Sequence, residues 1–256
     1  MDPGFVRALF DQQIRQGRSP EPATSQAALA HPAIRVLDSE GAWATVVWSD
    51  LDETSADAAI AEQIRRFAPL GRDFEWKLYA HDRPANLADR LLAAGFRAGP
   101  EEALLVADAA ELPAEVTLPE GVRLVEVTDA AGVRLVVQAH DAAFGELHPA
   151  LERRLLAQLA EGPDAMAAVV AMADEIPICA GRIELHRGTQ FASLWGGGTA
   201  PAWRGRGVYR ALVAHRARLA IERGYRYLQV DALPASAPIL ARLGFVRLGT
   251  TVPYLY

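Results

Sequence analysis

A glycine-rich turn between a strand and a helix constrains the fold of this sequence more than any other stretch. Residues Phe191–Trp195 have the composition of a strand and lead into three glycines at 196–198. Trp203–Val213 follows, with the sequence Trp-Arg-Gly-Arg-Gly-Val-Tyr-Arg-Ala-Leu-Val. Gly205 and Gly207 let successive backbone N–H groups point into one concavity, and the helix that follows adds the positive end of its dipole. The stretch therefore predicts a cradle for a phosphate or a pyrophosphate.

Two common phosphate-binding loops do not fit this stretch. A P-loop needs Gly-Lys-Ser/Thr after its second glycine, whereas Gly207 is followed by Val208 and Tyr209. The dinucleotide-binding fingerprint fits poorly as well, because a glycine loop without its partner residues is a weak signal. The sequence therefore argues against both a P-loop and a dinucleotide-binding loop.

The loop instead resembles motif A of the GNAT acetyltransferase superfamily, whose pattern is Arg or Gln, two residues, Gly, one residue, Gly or Ala. Arg204, Gly207 and Tyr209 occupy the three defining positions, with a tyrosine where the family has a very small residue. Thr199–Arg204 looks like the family's passage from its fourth strand into the loop. Ser236–Phe245 looks like its motif B, so the resemblance extends over the second half of the chain.

The first half of the chain contains a weak echo of the second. Leu91–Phe96 ends in Gly-Phe as Ile239–Phe245 does, within a similar order of strands and helices. Where a phosphate loop belongs, however, the first half has Asp50–Glu53, whose carboxylates would repel a pyrophosphate. The resemblance therefore implies an α/β (α+β) protein with two GNAT-like domains, each a mixed, mostly antiparallel sheet flanked by helices. We predict a degenerate GNAT-like domain at 1–115 and an acyl-CoA-binding GNAT domain at 119–256.

Hydrophobic periodicity and turn signals predict the elements of both halves. The first half is predicted to have helices at 5–15 and 87–94 and one that is capped by Asp52–Thr54 and runs to about Ala68. Its predicted strands are 34–37, 43–48, 74–80 and 102–106, with a hairpin turn at Ser39–Gly41 and an irregular connection over Gly17–Pro32. The second half is predicted to have strands at 122–127, 165–173, 176–186, 189–199, 227–230 and 245–254, with helices after Thr128–Asp129, at 149–159, from the glycine loop to Arg223, and in motif B.

Acetyl-CoA, or a related acyl-CoA, is the donor that the resemblance implies. Backbone groups of Thr199 and Ala200 would pair with its pantetheine arm like an added strand. Arg204 and Arg206 would add charge-assisted contacts to the diphosphate. Ser236 lies where the family often places a polar side chain near the pantetheine, although a helix N-cap explains this serine equally well. The backbone N–H groups expected to hold the diphosphate are those of Gly205, Arg206, Gly207, Val208, Tyr209 and Arg210.

Acyl transfer to an amine requires one proton to leave the amine and one proton to reach the departing thiolate. The family commonly supplies the second proton from a motif B tyrosine, at the position that is Leu240 in this chain. We expect Tyr254 to substitute for it, because the last strands border the cleft in this fold. The other tyrosines that remain open for this role are Tyr209, Tyr225 and Tyr227.

Two carboxylates are candidates for the base that takes the proton from the amine. Glu184 lies on the third predicted strand of the second domain, where side-chain alternation places it on one face with Arg182 and His186. Asp231 lies at the carboxyl end of the strand after the long helix, where open sheets place ligands. Each residue alone is also a common surface or structural carboxylate, so the sequence leaves the choice open.

A polar segment, His140–His148, joins the first two helices of the second domain, and by the resemblance it borders the acceptor site. Its two histidines and two carboxylates are groups that bind an amine or a metal ion. We expect no metal, because neither His-x₃-His nor His-Glu-x₂-His spacing is present. An ordinary polar loop is the alternative.

Composition limits the remaining classes. The chain of 256 residues is 51% hydrophobic, which is enough to bury cores, and its first ten residues have no long apolar run, so we expect a cytoplasmic protein without a membrane anchor. The single cysteine, Cys179, excludes an internal disulfide, and its apolar strand favours a buried thiol. The net charge of −6, and the lack of aromatic residues among the arginines of the long helix, argue against a nucleic-acid-binding module.

The sequence therefore predicts an N-acetyltransferase that acts on an amine of a small molecule or a peptide. A catalytically silent regulator that binds acyl-CoA is the alternative, and the missing tyrosine at Leu240 is its best support. No nucleic acid or membrane is expected as a partner, and a homodimer is left open.

Overall fold

The computed structural model describes residues 1–17, 34–39, 43–71, 74–114 and 116–256. None of the helices in these ranges has the length and apolar composition that a bilayer-spanning segment requires. The helices are α1 (Pro3–Phe10), α2 (Ala56–Phe67), α3 (Leu87–Ala93), α4 (Ala130–Phe144), α5 (Pro149–Ala160), α6 (Val208–Glu222) and α7 (Ala237–Leu243). The strands are β1 (Ile34–Ser39), β2 (Trp43–Ser49), β3 (Phe74–Tyr79), β4 (Arg97–Ala98), β5 (Glu102–Asp108), β6 (Val122–Val127), β7 (Met166–Ala173), β8 (Ile176–Leu185), β9 (Phe191–Thr199), β10 (Tyr227–Ala232) and β11 (Val246–Leu255).

The predicted fold class is confirmed: strands in a mostly antiparallel arrangement are flanked by seven helices in the described residues. The helix predicted at 5–15 is α1 followed by a π-helical turn over Asp11–Arg15, and β4 is too short to have been predicted. The predicted connection lies outside the described residues except for Gly17, as do residues 40 and 41 of the predicted hairpin turn. The antiparallel pairing of β1 with β2 agrees with a hairpin there.

The residues predicted to cap α2 precede it in the structure. Asp52 Oδ1 accepts the backbone N–H groups of Thr54 and Ser55, each at 2.9 Å, in a turn before the helix. Aspartate side chains often bind the backbone in this way. The first helical residue is Ala56.

The chain forms two compact units. The first comprises Met1–Leu105, Asp231–Ala241 and Val246–Tyr256, and the second comprises Val106–Val230 and Arg242–Phe245. This division is not linear, because β11 at the end of the chain pairs with β3 of the first unit. The boundaries 1–115 and 119–256, which rest on an echo within the sequence, stay a prediction.

The first unit contains the strand order β1-β2-β3-β11, with β5 beside β11. The pairing of β2 with β3 is parallel, whereas β1 with β2 and β3 with β11 are antiparallel. Its core is rich in aromatic side chains, which pack with aliphatic residues of α2 and α3. The aromatic residues buried in this core are Phe67, Phe74, Trp76, Phe96 and Tyr254.

In the second unit β6, β7, β8 and β9 are antiparallel neighbours, and β10 runs parallel to β9. Strand β7 is buried on both faces. Ala168 and Val170 lie in one cluster with side chains of α4 and α5, whereas Val169 and Ala171 lie in another with side chains of α6. Helices therefore cover both faces of this sheet, which explains why Met166–Ala173 is an unbroken apolar run rather than an alternating one.

Helix α4 begins where the sequence predicts, but it continues to Phe144, through the first part of the segment His140–His148 that was predicted to join two helices. The side chain of Asp129 accepts the backbone N–H of Gly132 at 2.8 Å, so the predicted N-cap is confirmed. Gly145 ends the helix in the left-handed conformation, with φ of 79°. The chain turns there and enters α5 at Pro149, which places the segment His140–His148 at the C-terminal end of α4.

A buried cation links several segments within the first unit. The Arg15 side chain is 3% exposed and donates to both carboxylate oxygens of Asp82, at 2.6 and 2.8 Å, and to Asp11 at 3.0 Å. It also donates to the carbonyl of Val47 and lies over the ring of Tyr79. Burial alone would lower the pKa of Arg15, but the charges of Asp82, Tyr79 and Asp11 and the Asp82 hydrogen bond together outweigh burial, and the net shift is upward.

We expect Arg15→Met to lower the free energy of unfolding by about 3–5 kcal/mol, because it leaves Asp82 and Asp11 without their cation. Urea unfolding followed by circular dichroism measures this loss. Arg7→Met in α1 is the matched control, since Arg7 is exposed and its replacement should change stability by less than about 0.5 kcal/mol. Equal losses in the two variants would contradict the assignment.

Candidate functional site

The predicted anion cradle is formed by the loop between β9 and α6. After a 3-10 turn at Pro201–Trp203, Gly205 and Gly207 have φ of 75° and 87°. Both values lie in the left-handed region that favours glycine. Gly207 is the N-cap of α6 and no side chain caps this helix, so the N–H groups of its first turn are available to an anion, as in other phosphate-binding helix termini.

The arginines of the loop have different contacts. Arg204 donates from Nε to the carbonyl of Thr199 at 3.1 Å and from Nη2 to the carbonyl of Ala143 at 2.8 Å. It therefore fixes the loop to the end of α4, a contact that the sequence did not predict. Arg206 is exposed and lies over the ring of Trp203, with 4.9 Å from its Cζ to the ring centroid. Its guanidinium remains at the surface of the loop.

The tyrosine that departs from motif A is accommodated by a glycine on β9. A Cβ added to Gly197 would lie 2.9 Å from Cε2 of Tyr209, closer than real Cβ contacts allow. The missing side chain at Gly197 thus provides the space that the tyrosine ring occupies. Burial raises the pKa of Tyr209, so its hydroxyl stays protonated at neutral pH.

A second buried cation lies beneath the same glycine. Arg216 is 1% exposed and donates from Nε to the carbonyl of Leu212 and from Nη1 to the carbonyl of Arg182, each at 3.1 Å. Its Nη2 atom has no hydrogen-bond partner among the described residues. Burial lowers the pKa of Arg216 and raises the pKa of the nearby Cys179 thiol to about 11. Cys179 is therefore a buried, protonated thiol, and nothing here makes it a nucleophile.

Strand β9 is irregular where the glycines lie. Its pairing with β8 passes from Ala180 opposite Gly198 to Arg182 opposite Trp195, with a register shift between them. Its parallel pairing with β10 ends at Ser193 in the described structure. The remainder of β9 therefore extends beyond the β10 pairs, where an extended ligand could add to its edge.

Glu184 is held by two neighbours in the second unit. Its Oε1 accepts from Nε2 of Gln158 at 2.8 Å and from Nε of Arg182 at 3.0 Å. Burial raises the pKa of Glu184, but the Arg182 charge and the Gln158 hydrogen bond outweigh burial and the net shift is downward. The predicted grouping of Arg182 with Glu184 is thus present, as an ion pair.

Asp231 and Tyr254 belong to the first unit, unlike Glu184. Asp231 Oδ2 lies 2.9 Å from Nζ of Lys77, which also bonds Glu102 at 2.8 Å. Burial lowers the pKa of Lys77, but the Asp231 charge and the other acidic groups around the ammonium together outweigh it, and the net shift is upward. Tyr254 is 6% exposed and packs in the aromatic core, which raises the pKa of its hydroxyl. The structure therefore gives both residues structural contacts.

Ser236 and Leu240 of motif B also lie in the first unit. Ser236 is half-buried, and its hydroxyl donates to the carbonyl of Leu233 at 3.2 Å in the turn before α7. Leu240, which replaces the family's tyrosine, is fully buried. Among the described contacts, the Ser236 side chain thus stabilises the turn before α7.

Three polar side chains at the end of α4 lie close together, although their spacing in the sequence does not predict this cluster. One ligand atom each from His140, Asp141 and His148 lies within 4.8 Å of the other two. The left-handed Gly145 turns the chain, so that the His148 ring returns edge-on to the His140 ring at 4.4 Å between centroids. Spacing rules for metal ligands assume both histidines on one helix, and they therefore do not reveal this cluster.

Residues 133–245 match the model of the acetyltransferase (GNAT) family. The matched range includes the β9–α6 loop and every residue of the α4–α5 connection. The stretch 133–245 is therefore similar to GNAT acetyltransferase domains, and acetyl transfer is the class of reaction that this family indicates. A comparison with curated protein sequences found no match.

Similar solved structures agree with this assignment of the fold. A GCN5-related N-acetyltransferase from Kribbella flavida has 18% identity and a TM-score of 0.69, over 97% of this chain and 94% of that chain. A functionally unknown conserved protein from Staphylococcus epidermidis has 14% identity and a TM-score of 0.67, over 96% of each chain. A tandem GNAT protein from the clavulanic acid biosynthesis pathway has 15% identity and a TM-score of 0.62, over 87% of this chain and 78% of that chain.

We expect Gly197→Ala to lower the free energy of unfolding by about 1–3 kcal/mol, because the new methyl group meets the Tyr209 ring. The double variant with Tyr209→Ala should show a favourable coupling energy of at least about 0.5 kcal/mol, measured by urea unfolding as a double-mutant cycle. Gly249→Ala is the control, since a Cβ there meets nothing within 4 Å. Additive effects of the two substitutions would refute the proposed accommodation.

Proposed function

We propose that the second half of this chain binds acetyl-CoA and transfers its acetyl group to an amine of a small molecule or a peptide. The observation that supports this most is the left-handed Gly207 at the start of α6, with no side chain capping the helix. The N–H groups from Gly205 to Arg210 would hold the diphosphate there. Exposed Arg206 and Arg210 stand beside them as additional cations.

The pantetheine arm would lie along β9. Two of the predicted backbone groups already have partners, since the carbonyl of Thr199 accepts from Arg204 and the N–H of Ala200 donates to the carbonyl of Ile178. We therefore place the pairing further back on β9, between Leu194 and Gly198, where its pairs with β10 have ended. The thioester would then lie beside the glycines of β9.

Glu184, Asp231 and Tyr254 stay proposed sites for proton transfer, but their contacts argue against such roles. Each carboxylate already forms an ion pair within the fold, Glu184 with Arg182 and Asp231 with Lys77, so each has a structural partner. The Tyr254 hydroxyl belongs to a side chain in the core of the first unit. Water remains available to protonate the thiolate, whose acidity is near that of cysteine, with a pKa of about 8.5, so the reaction does not require an acid at Leu240.

A silent acyl-CoA-binding regulator is the second candidate, and the buried aliphatic side chain of Leu240 supports it. A screen of amines with acetyl-CoA and detection of the released thiol separates the two functions. Turnover of any amine supports the transferase. Stabilisation by acetyl-CoA without turnover supports the regulator.

We expect acetyl-CoA to bind one site per chain and Gly207→Val to weaken its binding by about 1–2 kcal/mol, because a β-branched residue strains the left-handed backbone. Titration calorimetry measures both the affinity and the stoichiometry. The matched control is Gly224→Val at the other end of α6, where φ is 80° and a Cβ meets nothing within 4 Å. An unchanged affinity in Gly207→Val, or two equivalent sites, would show that the cradle is misplaced.

A further inference from the structure

An aspartate and a histidine form a hydrogen-bonded pair in the connection between α4 and α5. Nδ1 of His148 lies 3.2 Å from Oδ1 of Asp141, and the backbone N–H of His148 donates to the same oxygen at 3.2 Å. Because an ionised carboxylate only accepts hydrogen bonds, the neutral imidazole carries its proton on Nδ1 in this contact. Nε2 of His148 then has the free lone pair, as in a base oriented by a carboxylate.

The pair is accessible and is not needed to cap a helix. The side chain of His148 is 37% exposed and that of Asp141 is 20% exposed. His148 is the N-cap residue of α5, yet its side chain makes no capping hydrogen bond. The proline at the first position of α5 lacks an N–H group, so this helix start needs one cap fewer. The imidazole is therefore available for other chemistry.

The His140 ring connects the Asp141–His148 pair with the glycines of β9. The His148 ring packs edge-on against the His140 ring, with an interplanar angle of 89°. Cδ2 of His140 in turn lies 3.9 Å from the position that a Cβ on Gly196 would take. A thioester beside these glycines, as proposed above, would thus face the same end of α4 that carries Asp141 and His148.

Two side chains of α4 face the His148 ring in the described structure, those of Asp141 and His140. Burial, and then the neighbouring His148 charge, lower the pKa of His140 to about 4, so His140 is neutral at pH 7. Of the two, the Asp141 carboxylate is the group that contacts Nδ1 of His148, and it thereby orients the ring.

We propose that His148 is the general base of the acetyl transfer and that Asp141 is the residue that positions it. The inference rests on the proposed function. Nε2 of His148 takes one proton from the protonated amine, directly or through one water, and the imidazolium later releases it to solvent. The neutral nitrogen then attacks the thioester carbonyl carbon, a C–N bond forms, and the C–S bond breaks. The second amine proton passes through water to the CoA thiolate.

The test compares His148→Gln with the unaltered chain on two amines, ethylamine and hydroxylamine, with acetyl-CoA as the donor. Ethylamine is protonated at neutral pH and needs a base, whereas hydroxylamine is largely neutral. We expect about a hundredfold loss of kcat with ethylamine and less than about threefold with hydroxylamine. The ratio of the two enzymes' rates with ethylamine, taken at one pH, cancels the titration of the amine itself.

Three further variants separate catalysis from folding. His148→Ala should regain activity with added imidazole, and Asp141→Asn should lose activity without losing acetyl-CoA affinity. His81→Gln is the matched control, because His81 pairs with Asp11 at 2.9 Å outside the GNAT-matched residues, and it should leave transfer unchanged. A metal chelator should also have no effect, since the proposed base acts as a free imidazole.

The outcomes distinguish the two proposals. If the unaltered chain acetylates ethylamine and His148→Gln is equally active, the assignment of the base is wrong while the proposed function stands. Equal losses with both amines, or loss of activity on adding a chelator, also overturn the base assignment. If the unaltered chain acetylates neither amine, the proposed function fails and the base assignment fails with it.

Discussion

The close approach of two helices to the glycines of β9 is the constraint on which the rest of the second unit depends. Side chains alternate along a strand, so Gly196 and Gly198 face one helix and Gly197 faces the other. A Cβ on Gly198 would lie 2.8 Å from both Ala143 and Phe144 of α4, and one on Gly197 would meet Tyr209 of α6. The three glycines therefore bring both helices against the strand. Any larger residue would push one of them away.

A glycine also makes room for a buried charge in the second unit, that of Arg216. A Cβ on Gly181 would lie 2.9 Å from Nη1 of Arg216, so this glycine on β8 provides the space for the guanidinium. Buried ions require hydrogen bonds, and Arg216 finds two of them at backbone carbonyls. On the same strand Arg182 is paired with Glu184. The two buried arginines are thus bound by backbone carbonyls and by Glu184. The Glu184 carboxylate therefore has a structural role.

The sequence predicted the parts of this structure that depend on local pattern. The cap at Asp129, the turn at Gly145 and the glycine loop before α6 all follow from residue types within a few positions of one another. Contacts between distant positions were not predictable in the same way. Nothing local to Tyr209 shows that Gly197 accommodates its ring, and nothing in motif A shows that Arg204 bonds the carbonyl of Ala143.

The choice of a proton acceptor shows why those distant contacts matter for function. By sequence alone, a carboxylate on a central strand and one at a strand end were equal candidates, because each residue type accepts protons. The folded chain places a cation beside Glu184 and another beside Asp231, so both carboxylates are engaged in ion pairs. Asp141 instead faces an imidazole, which can accept a proton without breaking its hydrogen bond to the carboxylate. Asp141 is therefore better suited to position a base than to act as one. A proton taken up by the His148 imidazole strengthens its contact with Asp141 rather than ending it.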